Sequence, residues 1–442
     1  MIVRLFCLVC VLVLSCAAPA AAHNVSAGAD LRIAQTIAGM ELTVVIKGTE
    51  RVPGPLRIGL IAYGPAVGPG AGSNGGPDVG LRVRSVEDGR AVTGVARAAP
   101  RDPAYTELRV ERAGPHELTL RAGGEVAVVP FRVLVERGSW AGPLVYGGFL
   151  LAGGLLVGGL LTGAIARPGH ALLVGGGAAV GLTVAVMAVV VQPMLPAGPP
   201  DGAAPAASAQ AAGRPYVQGR VETVPARPAV GEEFTLRVDV VDGSTGRPVD
   251  DLAVHHEALA HLIVTSEDGR YFRHVHPLRT APGRLEVRLR ADRPGSYVAH
   301  AELERQDSGG QLLSGRFAIT AAQATTGGTD GEADGVVPAM RPVVPVAGRP
   351  ATIELAASGP VRPWLGMTGH LIVRGRDGNF LGHAHEMGQG GPRLRFVFTF
   401  PRPGRYLAWA QYALADRIVT APFTVDVTAD GTADVTAAES PR

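Results

Sequence analysis

The sequence predicts a mainly β protein, three small β-sandwiches interrupted by a two-helix transmembrane hairpin. Three observations carry this prediction. Short alternating apolar runs bounded by Gly and Pro recur along most of the chain, two long uncharged stretches interrupt them near the middle, and residues 215–321 repeat as 338–427. Composition agrees. Gly 60 and Pro 35 make up about a fifth of the 442 residues, yet 46% are hydrophobic, enough for packed cores. Lys+Arg 41 against Asp+Glu 39 leaves a net charge of +2, too weak a field to gather a polyanion, so nucleic acid is not an expected partner.

Residues 1–22 read as an export signal, with one early cation (Arg4), an apolar run from Leu5 to Leu14 and the small residues Ala20-Ala21-Ala22. Cleavage after Ala22 makes His23 the new N-terminus. Two other outcomes stay open: an uncleaved anchor, and lipidation at Cys16, because Val13-Leu14-Ser15-Cys16 resembles a lipobox. Cys7, Cys10 and Cys16 are the only cysteines, so nothing downstream can form a disulfide, a thiolate metal site or a cysteine nucleophile.

A first sandwich is expected over 23–139, from runs such as Glu41–Ile46, Leu56–Leu60, His116–Arg121 and Val126–Val133, with a Gly/Pro-rich loop from Pro65 to Pro77. The uncharged stretches follow, Gly142–Ala166 and Ala171–Val191. At ~1.5 Å rise per residue each can cross a ~30 Å hydrocarbon core. Arg167-Pro168-Gly169-His170 is too short a link for anything but an antiparallel hairpin. The pairs Gly154/Gly158, Gly159/Gly163 and Gly177/Gly181 have the small-xxx-small spacing of closely packed membrane helices. Neither stretch holds an Asp, Glu, Lys or Arg for a proton or ion relay, which favours anchoring over transport. With an export signal, the β modules lie on the extracytoplasmic side and the Arg167 turn is cytoplasmic; Arg132 and Arg137 on the outer flank weigh slightly against this.

Linkers are expected at 192–214 and 322–337, and a disordered tail at 428–442. Between them lie His-rich sandwich A (215–321) and His-rich sandwich B (338–427), each expected to fold independently. His261–His276 matches His370–His385 at a constant offset of 109, and Gly295–Ala301 matches Gly404–Ala410 at the same offset. Asp268-Gly269 is a strong two-residue hairpin signal, because a type I′ turn needs positive φ at both central positions. It places His261 opposite His276 and His274 opposite Ile263. Asp377-Gly378 does the same for His370, His385 and His383. Strand alternation then puts each set of three histidines on one face, where opposed imidazoles can reach one ion.

The surroundings differ between copies. Copy A adds His255, His256 and His300, with His256 or His300 as a fourth ligand; copy B has Trp364, Leu365 and Trp409 there, with Met367 and Met387 nearby. Imidazole suits Cu(II) or Zn(II) and thioether suits Cu(I). Core filling is the favoured role for the methionines, and hydrogen bonding within the hairpin is the alternative role for the histidines. His23 could bind Cu(II) through its amine and ring, if cleavage exposes it.

His256-Glu-Ala-Leu-Ala-His261-Leu-Ile-Val, Asp268-Gly269 and Phe272-Arg-His-Val-His276-Pro277 together resemble a module of exported bacterial proteins, the YtkA-like and similar Ig-like or cupredoxin-like β-sandwich domains of copper-handling proteins. The N-terminal module more distantly resembles the copper-resistance CopC-like domain, without its Asp-Gly-His-Pro type segment. The resemblance implies a membrane-anchored extracytoplasmic protein that captures or delivers copper, with zinc as the alternative ion. The alternative function is a non-catalytic Ig-like envelope protein that binds another envelope protein, its histidines structural. No nucleophile–base pair or phosphate-binding loop stands out, so an enzyme is not expected.

Overall fold

The computed structural model describes residues 29–63, 77–136, 141–194, 200–203, 216–306, 308–321, 338–387, 391–414 and 417–429. The expected leader, Cys16, His23, nearly all of the 65–77 loop, most of both linkers and the tail lie outside them. The chain divides into two compact units: one includes the described residues 134–200, the other spans 30–133 and 201–442.

The first unit is a helical pair, α1 (Ala141–Leu161) and α2 (Pro168–Val191). Both are long and apolar enough to cross a membrane, and Leu150, Leu161 and Leu172 stand exposed on them, consistent with membrane association. The first helix stops at Leu161 instead of Ala166, because Gly163 takes a left-handed φ of 69° and only a 3-10 turn, Ala164–Ala166, follows. The second starts at Pro168 instead of Ala171, since proline fits the first helical position, where its missing N–H costs no bond. A Cβ on Gly181 would meet the Gly148 carbonyl oxygen at 2.7 Å, and one on Gly177 would meet Leu155 at the same distance, so these glycines allow the close approach. Of the other two expected pairs, Gly159 packs on Val174, which a Cβ would meet at 2.9 Å, while Gly163, Gly154 and Gly158 face open space.

In the second unit the N-terminal module has eight strands, β1 (Leu31–Ile37), β2 (Met40–Lys47), β3 (Gly54–Tyr63), β4 (Asp78–Ser85), β5 (Ala91–Ala99), β6 (Thr106–Val110), β7 (Gly114–Ala122) and β8 (Glu125–Val133). They form one sheet, because β3 and β5 pair in parallel at Leu60–Ala98 and Ile61–Ala99 and join what would otherwise be two layers. Inward residues of both halves, among them Ile33, Leu42, Ile58, Leu81, Leu118 and Val129, pack into one core.

Module A contains β9 (Val217–Val224), β10 (Glu233–Asp242), β11 (Leu252–Ala253), β12 (Ala260–Ser266), β13 (Phe272–Val275), β14 (Leu278–Ala281), β15 (Arg284–Arg290), β16 (Gly295–Arg305) and β17 (Gly309–Ile319). Its sheets run β14-β15-β10-β9 and β11-β16-β12-β13, with β17 also on β16. Module B contains β18 (Ala339–Arg341), β19 (Pro350–Ala356), β20 (His370–Gly375), β21 (Leu381–His385), β22 (Arg393–Thr399), β23 (Gly404–Ala413) and β24 (Ile418–Val427). Its sheets, β18-β19-β22 and β21-β20-β23-β24, are those of module A in shorter form.

The hairpin register is the one the Asp-Gly turns dictate: Ile263 pairs with His274 and Leu262 with Val275, and His370 pairs with His385. The turn itself differs from the expected type I′: Gly269 and Gly378 have positive φ, 76° and 71°, but Asp268 and Asp377 do not. The bonds Gly269 N to Ser266 O and Gly378 N to Gly375 O make each connection a four-residue loop, 267–270 and 376–379, centred on the same register. Yet β12 and β20 are buried along their whole length, so both faces are covered. Leu262 and Val264 enter the core of module A. The opposite face, with His261, Ile263 and Thr265, packs on the equivalent face of module B through Ile263, Phe272, Ile372, Leu381 and Trp409. Trp409 stacks on Phe272 with ring centroids 4.6 Å apart. The modules are therefore halves of a pseudo-symmetric pair with a shared apolar interface.

Candidate metal centre

Face-to-face packing brings both histidine triads into one cluster. His274 lies 5.3 Å from His261 and 5.0 Å from His276 in its own triad, and 5.5 Å from His383 and 6.1 Å from His370 in the other. His261 and His383 are 5.6 Å apart. Spacing across the pair thus matches spacing within each triad.

Hydrogen bonds fix which nitrogen of each ring points inward. In triad A, His261 Nε2 donates to the His255 carbonyl at 3.1 Å, His274 Nδ1 to Gln411 Oε1 at 2.9 Å and His276 Nδ1 to the Glu41 carboxylate. Gln411 uses its own Nε2 to donate to Thr420, which leaves Oε1 to accept. With each outward nitrogen protonated, His261 Nδ1, His274 Nε2 and His276 Nε2 are left as lone pairs, 3.0 and 3.2 Å from one another across His261. Lone pairs cannot hydrogen-bond to each other. Those separations are close to the ~3.3 Å between nitrogens sharing a tetrahedral ion at ~2.0 Å bonds. Burial, reinforced by the neighbouring imidazoles, holds His261 and His274 well below the usual histidine range, so a shared proton is disfavoured.

Triad B repeats the scheme at two of its three rings. His370 Nε2 donates to the Trp364 carbonyl at 3.1 Å and His383 Nδ1 to Glu302 Oε2 at 2.8 Å, leaving His370 Nδ1 and His383 Nε2 facing at 3.1 Å. His385 Nε2 is buried with no hydrogen-bond partner. Burial and His383 push the His385 ring down to about 3. Glu302, which burial alone would raise, is held below the usual carboxylate range by its bond to His383. The ligand atoms of each triad lie within 4.8 Å of one another.

Each outer partner belongs to another element. Glu302 is opposite His261 on β16 of module A but serves His383, and Gln411 is opposite His370 on β23 but serves His274. The exchange follows the 109-residue offset. Glu41 comes from β2 of the N-terminal module, whose edge strand β1 docks on module A: Thr36 N donates to the His276 carbonyl and His276 N to Thr36 Oγ1, both at 2.8 Å. Carboxylate and carbonyl partners of this kind orient metal-bound imidazole and raise its basicity. Sequence reading missed all three. For Glu302 and Gln411 the available signal was a polar side chain at equivalent positions of both copies; Glu41, outside the repeat, carried none.

Other expected ligands fall elsewhere. His256 packs on His385 of the opposite triad at 4.0 Å and stands 6.4 Å from His261, so it is not a fourth ligand for its own triad. His300 shares the interface face but bonds Ser314 Oγ at 2.7 Å; burial, with the charges of Arg374 and Arg316, pushes it down to about 4. Neither triad includes it. Met387 is 68% exposed, and Met367 closes a turn with Trp364, to which its backbone bonds.

Residues 217–323 and 336–429 match the model of one family, described as Domain of unknown function (DUF8832). No curated protein sequence matches the chain. Among solved structures, red sea bream transglutaminase is 14% identical over 48% of this chain and 31% of its own, with a TM-score of 0.17. A two-domain fibronectin type III segment from chicken tenascin is 12% identical over 48% of this chain and 99% of its own, TM-score 0.16. Trypsin-activated alpha-2-macroglobulin from Escherichia coli is 9% identical over 91% of this chain and 23% of its own, TM-score 0.20. The chain spans about a third of the transglutaminase it matches.

Proposed function

We propose that the chain is a membrane-anchored, extracytoplasmic metal-binding protein that captures or delivers copper, one ion at each triad of a single paired centre. The observation that carries this reading is the convergence, in triad A, of three imidazole lone pairs, each set by an outward hydrogen bond, in a buried site, with His370 and His383 repeating the arrangement in triad B. A cation satisfies all three at once. Copper is favoured over zinc because nitrogen ligands bind Cu(II) more tightly along the divalent series, and no cysteine lies beyond Cys16 to reverse that order at the triads. The test is a titration of the chelator-treated full chain in detergent with copper and then zinc. Two copper ions per chain, not displaced by equimolar zinc, is the expected result. Failure to take up either ion would favour the envelope-interaction reading, with the histidines as a structural network.

A further inference from the structure

The metal reading leaves open how an ion reaches triads that the three modules enclose. Burial is graded. His255 is 36% exposed at its side chain and held by Glu304 at 2.9 Å through Nδ1. Its ring lies 3.9 Å from that of His256, and His256 lies 4.0 Å from His385. From His385 the next rings are His383 at 4.8 Å and His370 at 5.1 Å. His274 and His261 follow, 5.5 and 5.6 Å beyond His383. Triad A is the innermost, with His261 and His276 exposed by 1% and 0%. On its other side β1 and Glu41 close over His276.

The loop conformation does not account for the histidine pair. His256 has φ 45° and Leu365, its counterpart in module B, has φ 55°, so the same left-handed turn is built around leucine. Leu365 and Trp364 are buried in an apolar cluster with Ala34, Tyr63 and Ala413. That side is sealed, and the His255-His256 side carries two coordinating rings that end at an unpartnered buried nitrogen, His385 Nε2.

We infer that His255 and His256 form a landing site at which an incoming copper ion is first held and then passed to His385, so that triad B fills before triad A. This rests on the triads being metal sites. Rings ~4 Å apart can hold one ion together at ~2 Å bonds, so each handover makes a new bond before the old one is lost. No bond to protein is formed that the ion does not break on leaving, and its oxidation state does not change.

The test uses the metal-free full chain in detergent, mixed rapidly with Cu(II) supplied as its glycine complex, with tryptophan quenching as the signal because Trp364 lies 5.6 Å from His274. Substituting His255→Trp with His256→Leu installs the pair that module B already uses at this turn. Uptake should slow at least ten-fold while final stoichiometry and thermal midpoint stay at the parent values. His255→Ala with His256→Ala should behave alike. His383→Ala should slow filling of triad A as well, whereas His274→Ala should leave the first uptake phase fast. An unchanged rate in both double variants overturns the inference, and so does a loss of stoichiometry, which would make His256 a resident ligand. If the parent chain binds no copper, the metal reading itself fails.

Discussion

Three nitrogens can face one another at 3.0 and 3.2 Å in a buried site only while something prevents them from needing protons. The metal-free chain should therefore be sensitive to acid. His261, His274 and His370 are held well below the ordinary histidine range, His256 and His385 down to about 4 and about 3, all chiefly by burial. Below the unfolded value near ~6.5 the unfolded chain binds protons that the folded chain refuses, so stability falls as pH drops from there toward ~3. Each fully buried ring contributes up to about 1.4 kcal/mol per pH unit in that window. The thermal midpoint of the metal-free chain should thus fall steeply between pH 6.5 and 4 and change little between 7 and 8; a flat profile would contradict the neutral cluster. Saturating copper should raise the midpoint at pH 7, by about 2.7 kcal/mol of stability at a hundred times the dissociation constant. At the same scale, Glu41→Ala should weaken one of the two copper sites about 10–100-fold in competition titrations, because it frees the outward nitrogen of His276. Joint replacement of His274 and His276 by alanine should remove that site altogether.

The hairpin register was legible because its signal is local: Asp268-Gly269 and Asp377-Gly378 centre the two loops, and although these are four-residue loops instead of type I′ turns, the same centre gives the same register and puts three histidines on one face. What covers that face is not local. Phe272 and Trp409 belong to different copies, and neither position looks unusual until the two are stacked. Glu302, Gln411 and Glu41 escaped notice for the same reason, since each serves a histidine on another module. The pseudo-symmetry is broken most plainly at Arg374, which occupies the place of Thr265 and is fully buried. It donates to Thr265 Oγ1, to the Ser266 carbonyl at 2.8 Å and to the Glu267 carbonyl at 2.7 Å, all in module A. Arg374→Ala removes the donor and strands those acceptors, at an expected cost of about 2–4 kcal/mol. Denaturant midpoints should show that loss in the full chain. If the loss is below about 0.5 kcal/mol, the size of an ordinary surface change, the interface does not hold the modules together.

On the scale of the whole chain, the helical pair is an insertion between β8 and module A, and the β unit itself says where its ends must be. Arg132, at the end of β8, donates from Nε to the Gly202 carbonyl at 2.6 Å and from its terminal nitrogen to the Ala203 carbonyl at 3.1 Å. The chain therefore leaves the β unit and returns to it at one place. Residues between those points must start and finish on the same side of any membrane they enter, which requires an even number of crossings. Two helices, α1 and α2, satisfy this, and the short link between them, residues 162–167, then lies on the far side. With the leader read as an export signal, the far side is the cytoplasm, and the single charge of Arg167 agrees with the bias of cytoplasmic loops toward basic residues. Reporter fusions in the full chain separate the alternatives. A fusion at Gly213 should report an extracytoplasmic position and one at Gly169 a cytoplasmic one. If both report the cytoplasm, the helices do not span. If the two are exchanged, the hairpin is inserted the other way round and the histidine cluster faces the cytoplasm. In either case capture of copper outside the cell membrane is no longer tenable, although the paired triads would still converge on an ion.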